Sequence, residues 1–158
     1  MNISNQLDSF DLKIIDVLMQ DGRLPVTELA KRIGISKSPC QARLKRLRED
    51  GYILGFRAQV DYAKLDLEQV AFVEAKMSST REEILSAFNE AVASMPEIEE
   101  CHMIAGSFDY LIKVRTSDVA SYRKVLAESI STLPGVSSTS TYVSMESVKD
   151  SNGPKLGQ

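Results

Sequence analysis

The chain has 158 residues, 43% of them apolar and 26% charged, with a formal net charge of −3, which suits one ordinary domain or two small ones around a packed core. No run approaches the length of a membrane span, the opening Met1-Asn2-Ile3-Ser4-Asn5-Gln6 lacks the basic and apolar segments of a secretion signal, and Cys40 and Cys101 stand too far apart for a paired metal-ligand spacing. One histidine and no tryptophan argue against metal clusters and histidine-based triads. A cytoplasmic protein with no cofactor, no metal and no catalytic residue is expected.

The charge is uneven. Residues 1–60 hold 10 Lys+Arg against 7 Asp+Glu, whereas residues 61–158 hold 9 against 15. One part is therefore suited to an anionic partner and the other is not.

Residues 8–50 read as three helices. Asp8 is the expected N-cap of the first, with Leu7 and Leu12 at staple positions, Asp11 in the first turn, and Leu12, Ile15, Leu18 and Met19 as the apolar stripe. Asp21-Gly22 stops it. A second helix over 26–33 turns Leu29, Ala30 and Ile33 inward, and Gly34 fits the left-handed position beyond its end. Ser36 is expected to cap a third helix reaching Asp50, with Cys40, Leu44 and Leu47 on one face and Pro39 tolerated in the first turn. The short break Gly34-Ile35-Ser36 is a helix-turn-helix spacing.

After Gly51 the pattern becomes extended over residues 52–60, either a small two-stranded wing or one strand leading into a linker at 61–68. The remainder reads as two β-α-β units: strand 70–77, helix 81–94, strand 98–104, then strand 110–115, helix 119–132 and strand 136–143. The breaks are Met95-Pro96-Glu97 and Leu133-Pro134-Gly135, and Ala105-Gly106-Ser107-Phe108-Asp109 joins the two units. That order is the ferredoxin-like βαββαβ arrangement. The fold class is thus α+β, an N-terminal winged helix-turn-helix over 1–60 and a βαββαβ domain over 69–145, followed by a tail at 146–158. Two helices cover one sheet face, and Val73, Ile112 and Val114 suggest an apolar bare face that drives oligomerisation.

The third helix carries the clearest chemistry. Opposite its apolar face lie Ser38, Gln41, Ala42 and Lys45, flanked by Ser36, Lys37, Arg43 and Arg46. Gln bonds adenine in two places, Lys reaches guanine acceptors and Ala meets a thymine methyl. Flanking cations reach phosphates, where most of the affinity arises. Double-stranded DNA is the expected partner, and a dimer would read imperfect inverted repeats. Cys101 and His102, and likewise Glu99 and Glu100, are strand neighbours that should point to opposite faces. Neither pair suggests catalysis, and Met77, Met95, Met103 and Met145 read as packing residues.

These residues make a resemblance visible. Asp21-Gly22-Arg23, Glu28-Leu29-Ala30-Lys31-Arg32-Ile33-Gly34-Ile35-Ser36 and the stretch from Arg43 to Ile53 are similar to the DNA-binding half of the Lrp/AsnC (feast/famine) transcription regulators. Glu100-Cys101-His102, Gly106-Ser107-Phe108-Asp109-Tyr110-Leu111, Leu133-Pro134-Gly135-Val136, Thr141-Tyr142-Val143 and Val148-Lys149 resemble its second half, closest to the leucine-responsive branch. The resemblance implies a C-terminal half that senses an amino acid and assembles dimers into rings, usually octamers, with the effector between dimers. Carried over by position, Met103, Gly106, Asp109, Val119, Tyr142 and Val143 become effector-site candidates. Asp109 would accept from the ammonium group, and the amides around Gly106 and Ser107 would donate to the carboxylate. Relatives commonly have Gly-Asp-x-Asp where this chain has Gly106-Ser107-Phe108-Asp109, one carboxylate fewer. A ligand-independent architectural DNA-binding protein and a regulatory subunit of an enzyme are the other readings.

Overall fold

In the computed structural model, which describes residues 7–148, the chain divides into two compact units with the boundary between Gln59 and Val60. The last ten residues of the expected tail lie outside the described residues.

The first unit contains α1 (Ser9–Gln20), α2 (Val26–Ile33) and α3 (Lys37–Glu49). Asp8 caps α1 through a complete capping box: its side chain accepts from the Phe10 and Asp11 amides, and the Asp11 side chain accepts from the Asp8 amide. Gly34 adopts φ +78° beyond α2, and the Ile35 N–H bonds back to Ala30 O, the six-to-one bond of a Schellman turn. That closure satisfies the carbonyls at the end of α2 and turns the chain into α3 within three residues. Ile14, Leu18, Leu29, Ala30, Ile33, Cys40 and Leu47 form the core.

Two expectations change here. Leu12 and Met19 are exposed, and the buried row of α1 is Asp11, Ile14 and Leu18. Ser36 occupies the N-cap position of α3 with extended backbone, but its side chain makes no capping bond. Residues 53–60 form no strand among the described residues, so neither the two-stranded wing nor the single strand is present over that stretch. Tyr52 and Ile53 pack on the helical core, and the Phe56 ring lies so close over Gly22 that a Cβ there would meet it at 2.8 Å. This contact explains a glycine between Asp21 and Arg23.

The second unit contains β1 (Gln69–Met77), α4 (Glu82–Ala93), β2 (Ile98–Met103), β3 (Tyr110–Thr116), α5 (Val119–Glu128) and β4 (Val136–Val143), with short 3₁₀ turns at Ala63–Leu65 and Ile130–Thr132. The strands form one antiparallel sheet in the order β2-β3-β1-β4. Phe88 and Val92 of α4, Tyr122 of α5, and Ile130 pack on Ala71, Val73, Ala75, Tyr110, Ile112 and Val114. Val73, Ile112 and Val114 therefore lie beneath the helices rather than on the bare face. Alternation along β1 and β3 places Phe72, Glu74, Leu111, Lys113 and Arg115 on the other side.

A register irregularity between Ile98 and Glu100 overturns a second expectation from strand alternation. At this bulge both Glu99 and Glu100 reach the outer face, where Lys113 Nζ lies 3.2 and 3.1 Å from their carboxylates. Arg115 also pairs with Glu99, bonds Leu67 O at 3.0 Å and stacks on Tyr62 at 4.0 Å, tying the start of this unit to its sheet. Burial raises the Glu99 pKa, but Arg115 and Lys113 outweigh it and hold the carboxyl below its usual range. Cys101 and His102 do face opposite ways: Cys101 packs against the core, while His102 lies 3.4 Å from Glu100.

Candidate nucleic-acid interface and effector site

Helix α3 presents Lys37, Ser38, Gln41, Ala42, Lys45 and Arg48 to solvent, while Cys40 and Leu47 hold it to the core. Lys45 forms an exposed pair with Glu49 at 3.6 Å, and Lys37 and Arg48 have no ion-pair partner among the described residues. Ser36, free of a capping role, stands at the start of this surface beside the Gly34 turn. A groove of about 630 Å³ beside α3 is lined by Gln41, Lys45 and Arg48 along with Leu44 and Leu54.

The flanking arginines are placed differently from the other candidates. Arg43 Nη1 lies 2.6 Å from Asp8 and 2.9 Å from Asp11, and Arg46 Nη2 lies 2.5 Å from the other Asp11 oxygen. Asp11 is 1% exposed, so the two arginines enclose a buried carboxylate and join α3 to the start of α1. The hydrogen bonds that Arg43 donates to Asp11 and Asp8 raise its pKa further, and the Asp11 amide with Arg43 holds the Asp8 carboxyl below its usual value. Arg43 is thus committed within the fold. Arg46 is half exposed and keeps the rest of its guanidinium open. The sequence shows Asp11 in the first turn but not its burial or its arginine partners, although the spacing 11, 14, 18 was available to place it on the buried row.

The β2–β3 connection holds the second candidate site. Ile104 N–H donates to Asp109 O, and Asp109 N–H donates to Ala75 O. The Asp109 carboxylate accepts from Met77 N–H at 2.7 Å, where the register between β1 and β4 shifts. One carboxylate oxygen therefore satisfies a backbone donor at an irregular strand end. The Gly106 and Ser107 amides make no backbone hydrogen bond among the described residues and are exposed, which leaves donors for a carboxylate.

The candidate effector residues do not converge within one protomer. Met103, Gly106, Ser107 and Asp109 lie near the Ala75–Met77 end of β1, whereas Tyr142 and Val143 pair with Phe72 and Ala71. Five residues of β-strand separate Phe72 from Met77, about 17 Å. Val119 follows Thr116, which pairs with Gln69, and so belongs to the Tyr142 end. Met103, Val119, Tyr142 and Val143 are all exposed.

Comparison with known proteins bears on both sites. Residues 7–53 match a winged helix-turn-helix DNA-binding model, and residues 70–154 match the Lrp/AsnC ligand-binding domain. A proline dehydrogenase transcriptional activator from Rhizobium radiobacter is 59% identical over 147 residues, 93% of this chain and 94% of its own. The leucine-responsive regulatory protein of Escherichia coli is 44% identical over 146 residues, covering 92% of this chain and 89% of that one. Among solved structures, an AsnC family transcriptional regulator from Agrobacterium tumefaciens superposes with a TM-score of 0.89 at 32% identity, covering 95% of this chain and 97% of its own. A regulator from Neisseria meningitidis, solved as its complex with L-methionine, superposes at 0.87 with 26% identity and 96% of both chains. With its paired DNA-binding and ligand-binding units, the chain belongs to the Lrp/AsnC family of transcriptional regulators.

Proposed function

We propose that this regulator binds imperfect inverted repeats as a homodimer-based assembly, an octamer or similar ring in the cytoplasm, and adjusts its DNA binding to a free amino acid. The observation that carries the DNA half is the exposed row Ser38, Gln41, Ala42 and Lys45 on a helix anchored by Cys40 and Leu47. Base edges are read by that row, with Ser36, Lys37, Arg46 and Arg48 at the phosphates. Arg43 holds the helix in place.

The effector half rests on the split candidate set. A pocket that uses Gly106, Ser107 and Asp109 with Val119, Tyr142 and Val143 would draw on more than one copy, because Tyr142 and Val143 pair with Phe72 and Ala71 whereas the Asp109 carboxylate bonds Met77 N–H on the other side of β1. Ligand and assembly are then linked, since only a particular interface completes the pocket. The names of two relatives suggest the regulated step, activation of a proline dehydrogenase gene. Proline is accordingly the first effector to test.

The experiment is selection from random DNA, followed by titration of the selected duplex with and without each of the twenty amino acids. Inverted repeats about one helical turn or a multiple apart, with affinity altered by proline or another single amino acid, are expected. Asymmetric single sites would overturn the dimer reading. Affinity indifferent to every amino acid would favour the architectural reading, which the missing carboxylate at Ser107 also favours.

A further inference from the structure

Between α4 and the edge strand β2 lies a pocket of about 330 Å³, lined by Asn89, Val92, Ala93, Cys101, Met103 and Tyr110. Its size falls at the lower end of small-molecule sites. Tyr110 is 2% exposed, with its ring tilted against Phe88 at a centroid distance of 4.2 Å. The phenol oxygen is buried and makes no hydrogen bond of normal geometry among the described residues. A buried hydroxyl left in that condition destabilises a fold, and this one belongs to a residue of the pocket lining. Asn89, exposed on α4, is the other polar side chain of the lining. It draws on the phenol without reaching bonding geometry.

The remaining lining selects against charge. Val92, Ala93 and Met103 are apolar, and burial pushes the Cys101 thiol up to about 11, so that it is neutral at physiological pH. No charged side chain lines the pocket among the described residues. Burial raises the Tyr110 pKa, and Cys101, Asp109 and Glu82 add to the rise against the Asn89 amide. The phenol is therefore a donor, and the nearby Asp109 and Glu82 carboxylates oppose a further carboxylate.

We propose that this pocket binds a small uncharged molecule with an apolar body and one carbonyl group, whose oxygen accepts from Tyr110 Oη while the Asn89 amide pairs with the adjoining polar atom. The site is separate from the effector loop: Met103 borders both, but Gly106, Ser107 and Asp109 do not line the pocket. A zwitterionic amino acid, which the loop is suited to hold, is the wrong ligand for these walls.

The test uses the full chain with carbon-13 labels on its methionine methyl groups. The probe is ε-caprolactam, a neutral cyclic amide, compared with its ring-opened zwitterion 6-aminohexanoate. Caprolactam should shift the Met103 methyl resonance saturably, and the zwitterion should not. Tyr110→Phe keeps the ring and should weaken caprolactam binding about tenfold. It should melt no lower than the parent, because the hydroxyl it removes has no partner. Asn89→Ala, at an exposed position, should also weaken binding and serves if the tyrosine variant does not fold. Excess L-proline or L-leucine should leave the caprolactam shift intact. An absent or non-saturating shift, equal binding of both probes, or unchanged affinity in both variants would overturn the proposal. So would a lower melting temperature for Tyr110→Phe, which would reveal a structural partner for the hydroxyl. Displacement by either amino acid would fold the pocket into the effector site.

Discussion

Removal of the Asp11 carboxylate should loosen the joint between α1 and α3 while leaving the second unit unchanged. In Asp11→Ala the lost group is 1% exposed and accepts from Arg43 Nη1 at 2.9 Å, Arg46 Nη2 at 2.5 Å and the Asp8 amide at 3.1 Å. Taking one partner from a fully buried ion pair costs about 3–5 kcal/mol. Here the stranded guanidiniums are 28% and 46% exposed and rehydrate, which lowers that figure. Loss of half the capping box adds back a part of it. A net cost of about 2–3 kcal/mol follows, equivalent to amide exchange about 30–150-fold faster wherever opening of the helical unit limits it. Hydrogen exchange read by mass spectrometry should show this in α1 and α3 and not in β1 or β3. Arg46→Met, which leaves Asp11 with Arg43 and the Asp8 amide, should cost about 1 kcal/mol. Equal protection of α1 and α3 in Asp11→Ala and the parent would refute the view that a buried carboxylate joins the two helices.

On α3, Gln41→Ala should relax base preference at one operator position by roughly 1–3 kcal/mol, while Lys45→Ala should flatten the salt dependence by about one unit with selectivity kept. Anisotropy titrations on selected and random duplexes check both, and parental behaviour in both would remove α3 as the reading helix. Asp109→Asn keeps an oxygen to accept from Met77 N–H but loses its charge. It should fold and bind effector-free DNA normally, yet show no effector-dependent change in sedimentation velocity; a retained response would confine Asp109 to shaping the strand end. Cys101, pushed up to about 11 from 9.0, should hold about a hundredfold less thiolate near pH 8 than an unperturbed thiol. Its alkylation rate, followed by mass spectrometry, should climb through the range around pH 11, and rapid labelling at pH 8 would contradict its burial. Gly135→Ala would place a Cβ 2.2 Å from Ile84 Cγ2 and 2.9 Å from Met77 Cε at φ +75°, so a loss of about 2 kcal/mol or more is expected in urea unfolding, and an unchanged midpoint would count against the packing described.

Local sequence determined the elements and the exposed face of α3. Asp8 and Asp11 stand three apart before an apolar row, Gly34 follows Ile33, and Pro134-Gly135 interrupts the run into β4; each acts through hydrogen bonds or backbone angles within a few residues, so each was legible without the fold. The row at 38, 41, 42 and 45 was legible for the same reason, because helical spacing alone places those residues together. The tertiary structure decided what depends on distant partners. Which face of the sheet held Val73 and Ile112 was set by where α4 and α5 packed. Glu99 and Glu100 share a face because β2 slips its register against β3, a choice that neither strand makes alone. Arg43 was read only as a flanking cation, and its pairing with Asp11, 32 positions earlier, came from the fold alone. The effector candidates, drawn from one chain by position, lie at different levels of one sheet, Tyr142 beside Phe72 and Asp109 at Met77. Period and punctuation are written in neighbouring residues, whereas the pairing of a charge and the facing of a strand are settled only when segments far apart in the chain compete for the same interior.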